Sequence, residues 1–208
     1  MTRPPRPTFL YSTIALLSWP ILHVVYRYKA AGTENLPTRA GYVLAAGHVS
    51  NLDPWAIGLA LWPRRFLRFM GKSELFWFPL GAILTACGAF KVHRGQADYA
   101  AIATAVDLAR EGHVIAMFPE GTRRRKGLRK KYEAQAHTGA ARIALEAKVA
   151  LVPAGIKGTN NLRGLGPIRV RYGAAIPLDD LGSLDPAEAG RVATDRLMEA
   201  IHALEESL

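Results

Sequence analysis

Short apolar runs alternate with amphipathic stretches along most of this chain. Tyr42–Ala46 is wholly apolar and stops at Gly47, which predicts a buried strand. A helix is predicted from near Ser50 through Trp55, Ile57 and Leu61 to Trp62-Pro63, followed by a strand over Phe66–Met70. Pro79, Gly81 and Gly88 break the apolar stretch Leu75–Phe90 into a short helix, a turn and a strand. Ala97–Glu111 carries apolar residues at Tyr99, Ile102, Val106 and Ala109, the spacing of an amphipathic helix, and Gly112 supplies its stop. Val114–Phe118 reads as the next strand. Glu133–Ala147 reads as a helix with Gly139 inside it, and Val149–Val152 as a strand halted by Pro153. Gly158–Pro167 is loop-like, Ile168–Tyr172 suits an edge strand, and Asp185-Pro186-Ala187-Glu188 caps a last helix with Val192, Leu197, Ile201 and Leu204 on its inner face. Strands alternating with helices predict an α/β fold, a largely parallel sheet flanked by helices.

The first thirty residues break this rhythm. Phe9–Tyr26 holds no Asp, Glu, Lys or Arg, with Arg3 and Arg6 before it and Arg27 and Lys29 after it. The run falls short of the ~20 residues of a spanning helix and contains Ser18 and Pro20, which resemble a cap followed by a first-turn proline. We read two short apolar helices lying in or on a bilayer interface, with Tyr11, Trp19 and Tyr26 exposed to it and the positive flanks on the cytoplasmic side. The competing expectation is a helix packed on the domain's own core. A signal peptide fits less well, because Arg27-Tyr28-Lys29 makes a poor cleavage site. The division is thus residues 1–31, membrane-associating helices, and residues 32–208, one α/β domain.

Charge adds one feature. The net charge is +10, and Arg123, Arg124, Arg125, Lys126, Arg129, Lys130 and Lys131 supply seven of those charges, leaving +3 for the rest. So dense a segment can face anionic lipid, a polyanionic small molecule or nucleic acid. A nucleic-acid-binding module is the alternative from another class, but the segment lacks interleaved aromatics, and no nucleic-acid partner is expected. Cys87 is the single cysteine, set in an apolar run, so no intrachain disulfide forms and a buried, inert thiol is expected. The histidines show no metal-ligand spacing, and no metal is expected.

Two strings carry candidate chemistry. His48-Val49-Ser50-Asn51-Leu52-Asp53 follows the strand at 42–46. Histidine is the natural base near neutral pH, and a carboxylate on its second nitrogen fixes the tautomer and steadies the imidazolium. The same residues also fit a capping box, in which Asp53 serves the helix N-terminus. Phe118-Pro119-Glu120-Gly121-Thr122-Arg123 follows the strand at 114–118. Its backbone amides at Gly121 and Thr122 could receive an anion, and Arg123 can bind phosphate with two parallel bonds. Both strings sit where strands end, the usual place for chemistry in an α/β sheet.

Two more segments complete a set: Lys72-Ser73-Glu74-Leu75-Phe76-Trp77-Phe78-Pro79 with Gly88-Ala89-Phe90-Lys91-Val92-His93-Arg94, and Val152-Pro153-Ala154-Gly155-Ile156. Their order and spacing, from about Gly32 to about Asp180, resemble the four blocks of the glycerolipid acyltransferase family, whose best-known bacterial members are the lysophosphatidic acid acyltransferases. The resemblance implies that His48 is a general base oriented by Asp53, and that an acceptor hydroxyl attacks an acyl thioester directly, with no covalent acyl-enzyme. It implies further that Lys72, Arg94 and Arg123 hold the acceptor phosphate, while Glu120 and Gly121 contact the glycerol part and shape the pocket; Thr122, with its anion-receiving amide, is counted with them as substrate-binding.

The expected reaction transfers a fatty acyl group from acyl-CoA or acyl carrier protein to the free hydroxyl of 1-acyl-glycerol 3-phosphate. The product is phosphatidic acid and no bound cofactor is needed. Glycerol 3-phosphate or another lysolipid is the alternative acceptor. The chain departs from the family pattern at Gly47, where Asn is common, at Arg124, where Ser is typical, and at His137, where Lys or Arg is common. His137 is expected on a helix surface.

Overall fold

A computed structural model describes residues 5–92, 99–121 and 136–208. Seven strands form one sheet: β1 (Lys29–Ala31), β2 (Tyr42–Ala46), β3 (Leu67–Lys72), β4 (Ala89–Val92), β5 (Val114–Met117), β6 (Ala150–Lys157) and β7 (Arg169–Tyr172). Their order is β1-β7-β6-β2-β5-β3-β4. The five strands from β6 to β4 run parallel; β7 is antiparallel to β6, and β1 runs parallel to β7. This is the α/β fold with a largely parallel sheet that the alternating pattern predicts.

Every residue of β2 is buried, because helices cover both faces of the sheet. On one face Tyr42, Leu44 and Ala46 pack with residues of α1 (Phe9–Pro20) and α2 (Asp53–Leu59). On the other, Val43 and Ala45 pack with α4 (Tyr99–Arg110), α5 (Gly139–Ala147) and α6 (Pro186–Glu206). The short α3 (Leu80–Ala86) leads into β4. Asp185 caps α6 by accepting from the Ala187 amide at 2.9 Å, and Ala189, Ala193, Leu197 and Ile201 form its buried stripe. Gly155 lets the end of α6 ride close to β6: a Cβ there would stand 2.8 Å from the Leu204 carbonyl carbon.

Several elements differ from the sequence reading. β6 does not stop at Pro153 but runs through it to Lys157. The Pro153 carbonyl accepts from Gly173 N at 2.9 Å, on the β7 side. The missing N–H falls on that same side, so the ladder to β2 loses nothing. β7 is not an edge, because β1 lies outside it with Lys29 opposite Arg169. Three residues, Lys-Ala-Ala, carry no strand pattern of their own. Gly139 opens α5 rather than interrupting a longer helix, and Ala136–Thr138 is not helical.

The N-terminal run is one helix, not two. α1 continues through Pro20 into a single π turn over Ile21–Val25, and Ser18 donates to the Ala15 carbonyl rather than capping a second helix. Tyr11 is buried, not exposed: its ring packs against Trp55 and Phe66 at centroid distances of 5.0 and 5.4 Å, and burial raises its phenol pKa. Tyr11, Ala15 and Leu22 join the core, while Phe9, Leu16, Leu17, Trp19, Ile21, Val24 and Val25 stay exposed. Among the described residues, no helix is long and apolar enough to cross a membrane.

Candidate active site

Three neighbouring parallel strands, β6, β2 and β5, end at the same edge of the sheet. The loop after β2 carries His48, the loop after β5 carries Phe118, Glu120 and Gly121, and the loop after β6 carries Thr159. A crevice at the carboxyl ends of parallel strands is where side chains from separate strands converge without disturbing the ladder.

The centre is Asp53, wholly buried as the first residue of α2. Its Oδ2 lies 2.9 Å from Nδ1 of His48 and accepts from the Val49 and Ser50 amides, each at 2.7 Å. Its Oδ1 accepts from the Thr159 hydroxyl at 2.5 Å. Backbone and hydroxyl donors thus converge on both oxygens of the carboxylate. Only half of the capping box forms: Oδ2 of Asp53 accepts from Ser50 N–H alongside the imidazole, while the Asp53 amide bonds the Ser50 carbonyl and Ser50 Oγ accepts from Leu52 N at 3.2 Å.

A carboxylate only accepts, so this arrangement assigns the imidazole proton to Nδ1 and leaves the Nε2 lone pair for chemistry. The His48 side chain is 18 % exposed, open on one flank. Phe118 covers one face of the ring, stacked at a centroid distance of 4.3 Å.

On the β5 side, the Gly121 amide bonds the Phe118 carbonyl at 2.9 Å and the His137 amide bonds the Pro119 carbonyl at 2.8 Å, closing a tight turn around the buried Glu120. Gly121 has φ +66°, and a Cβ there would come within 2.6 Å of the His137 ring, so only glycine fits without displacing that ring. His137 therefore lies against this turn, ahead of α5, rather than on a helix surface. Lys72 is the last residue of β3, in register with Val92 at the end of β4. Arg94, Thr122 and Arg123, and with them the basic run to Lys131, lie outside the described residues.

On the β6 side, a cavity of about 680 Å³ opens between Val49–Leu52 and Thr159–Arg163. Among the described residues, no cluster of three or more His, Cys, Asp or Glu is placed to hold a metal ion.

Two groups of this site escape the sequence reading. Thr159 sits in a stretch read only as loop, although a polar residue right behind a long apolar strand was the available signal. Phe118 was legible as part of a motif but not as the platform under His48.

The model of the Acyltransferase family matches residues 27–157. The chain belongs to that family. This acyltransferase is 31 % identical over 186 residues to the 1-acyl-sn-glycerol-3-phosphate acyltransferase of Bacillus subtilis, a match covering 86 % of this chain and 89 % of that one. It is 28 % identical over 205 residues to the enzyme of the same name from Streptococcus pneumoniae, covering 96 % of this chain and 73 % of that one. Its fold is similar to the crystal structure of the 1-acyl-sn-glycerophosphate acyltransferase PlsC from Thermotoga maritima, with a TM-score of 0.66 and 20 % identity over 94 % of this chain and 78 % of that one. The acyltransferase is thus a PlsC-like member of the glycerolipid branch, with the strand order and flanking helices described above.

Proposed function

We propose that this acyltransferase moves a fatty acyl group from a thioester, acyl-CoA or acyl carrier protein, to the free hydroxyl of 1-acyl-glycerol 3-phosphate. The observation that carries the reading is the His48–Asp53 pair, a base presented with its orienter at 2.9 Å. The names of the relatives from B. subtilis and S. pneumoniae support this acceptor.

In this mechanism Nε2 of His48 takes the proton of the acceptor hydroxyl as its oxygen attacks the thioester carbonyl carbon. The buried carboxylate of Asp53 steadies the imidazolium so formed. The tetrahedral intermediate then collapses, the C–S bond breaks, and the departing thiolate takes the proton back from His48. An ester and a free thiol result. No covalent acyl-enzyme forms, in keeping with the absence of a Ser or Cys nucleophile hydrogen-bonded to His48 among the described residues.

Lys72, Arg94 and Arg123 bind the acceptor phosphate in this reading, with Glu120, Gly121 and Thr122 shaping the pocket around it. The exposed apolar face of α1 and its π turn lies in the interface of an anionic membrane on its cytoplasmic side, where lysolipid and product reside. The basic run Arg123–Lys131 adds attraction to that surface of about 1 kcal/mol per charge.

The test is an acceptor panel. Purified protein is given labelled acyl-CoA or acyl carrier protein with lysophosphatidate, glycerol 3-phosphate, or lysolipids whose phosphate is esterified. Phosphatidate as the preferred product supports the reading. Equal use of acceptors lacking a free phosphate overturns it.

A further inference from the structure

We propose that Thr159 is a positioning residue for the reaction, holding Asp53 so that His48 presents Nε2 correctly; this rests on the base assignment above. Of the donors to Asp53, three come from the β2–α2 loop: His48 Nδ1 and the amides of Val49 and Ser50, all on Oδ2. They fix the carboxylate only relative to its own loop. The fourth, the Thr159 hydroxyl, comes from 106 residues away in the loop after β6 and is the single hydrogen-bond partner of Oδ1 among the described residues.

Thr159 therefore ties Asp53 to the β6–β7 loop, as Phe118 ties His48 to the end of β5. Thr159 is buried at 1 % exposure, so in the folded chain its hydroxyl, not bulk water, satisfies Oδ1. A buried hydroxyl facing an acceptor-only carboxylate must donate. Without it, Oδ1 is left buried and unbonded, and the carboxylate is free to turn about Cβ–Cγ, carrying Oδ2 out of line with Nδ1. The β-branched side chain of threonine adds stiffness at χ1 that serine lacks. Partners that orient metal-bound imidazoles and carboxylates cost about 10–100-fold in activity when removed, and a loss on that scale is expected for the partner of Asp53.

The experiment compares Thr159→Val, which keeps the shape and removes the hydroxyl, with Thr159→Ser, which restores it, both in the full chain. Thr159→Ala is a second hydroxyl-free variant, should valine not be accommodated. The expected result is a 10–100-fold loss of kcat in the valine or alanine variant. KM for lysolipid and thioester should be unchanged, and serine should recover to within about fivefold of the wild type. In the proton NMR spectrum, the hydrogen-bonded Nδ1–H of His48 should shift or broaden in the hydroxyl-free variants and persist with serine.

Wild-type kcat in the valine variant overturns the proposal. So does a change in KM alone, or a serine variant as impaired as valine, or hydroxyl-free variants that all fail to fold, since each assigns Thr159 to substrate binding or to packing. Failure of the function reading is separate: it shows as a wild-type enzyme that acylates none of the phosphate-bearing acceptors.

Discussion

The phenyl ring of Phe118 lies stacked on the imidazole of His48, with centroids 4.3 Å apart and planes inclined by 26°. The two residues come from the ends of adjacent parallel strands, β5 and β2, so the stack is set by sheet register rather than by local sequence. It closes one face of the ring and leaves rotation about the Nδ1–Asp53 bond hindered on that side. Aromatic pairs contribute about 0.5–1.5 kcal/mol beyond the area they bury. Phe118→Leu should therefore lower kcat by about three- to tenfold with little change in KM, as read from steady-state kinetics. Undiminished kcat would remove Phe118 from the account.

The fold was legible in the sequence where a period repeats. β2, β5, α4 and α6 each carry an unbroken apolar run or a helical stripe, and each is found within a residue or two of its predicted bounds. It was not legible where tertiary contacts decide. β1 exists because the edge of β7 offers it a partner, β6 passes Pro153 because no ladder bond needs that N–H, and α1 crosses Pro20 because the chain relaxes into a π turn. The site divides in the same way. His48 and Asp53 are close in sequence and could be paired on chemistry alone, whereas Thr159 and Phe118 arrive from other strands and need the sheet to be seen.

Arg65 holds together the start of the sheet. Its guanidinium donates to the carbonyls of Pro37, Ala40 and Gly112 at 2.7, 2.8 and 2.5 Å, and lies over the Tyr42 ring. Bonds from a charged donor are worth about 1.5–3 kcal/mol each, and less where, as here, the accepting carbonyls are only partly buried. Arg65→Met should lower the stability to urea by about 3 kcal/mol. Arg65→Lys should recover little of that, because an ammonium cannot reach three carbonyls with a planar fork. A difference under 1 kcal/mol in either variant would refute the assignment.

His113 should make stability depend on pH. Burial, assisted by the charge of Arg68, holds its pKa below the ordinary value of about 6.5, with Glu111 opposing. The unfolded chain therefore takes up a proton before the folded chain does. Stability is full above about pH 6.5 and falls as pH drops through that value toward the folded pKa. In His113→Gln, the loss of Tm between pH 7.5 and pH 5.5 should be smaller than in the wild type. An equal or larger loss in the variant would show that this histidine does not carry the dependence.

The outer face of α1 and its π turn tests the membrane reading without touching the His48–Asp53 loop. Leu16, Leu17 and Val24 are exposed, so Leu17→Glu with Val24→Glu should leave folding intact. Binding to vesicles of anionic phospholipid, followed by sedimentation, should fall at least tenfold. Vesicle binding as tight as that of the unaltered chain would place the membrane contact elsewhere.

His48 itself bears the weight of the whole mechanism. The deciding measurement is the single-turnover rate of acyl transfer from labelled thioester to lysophosphatidate by the wild type and by His48→Ala, with circular dichroism confirming that both are folded. A general base contributes about 10²–10⁴-fold, so the variant should be slower by at least the lower figure while still binding both substrates. A folded His48→Ala enzyme that turns over at the wild-type rate would contradict the mechanism outright.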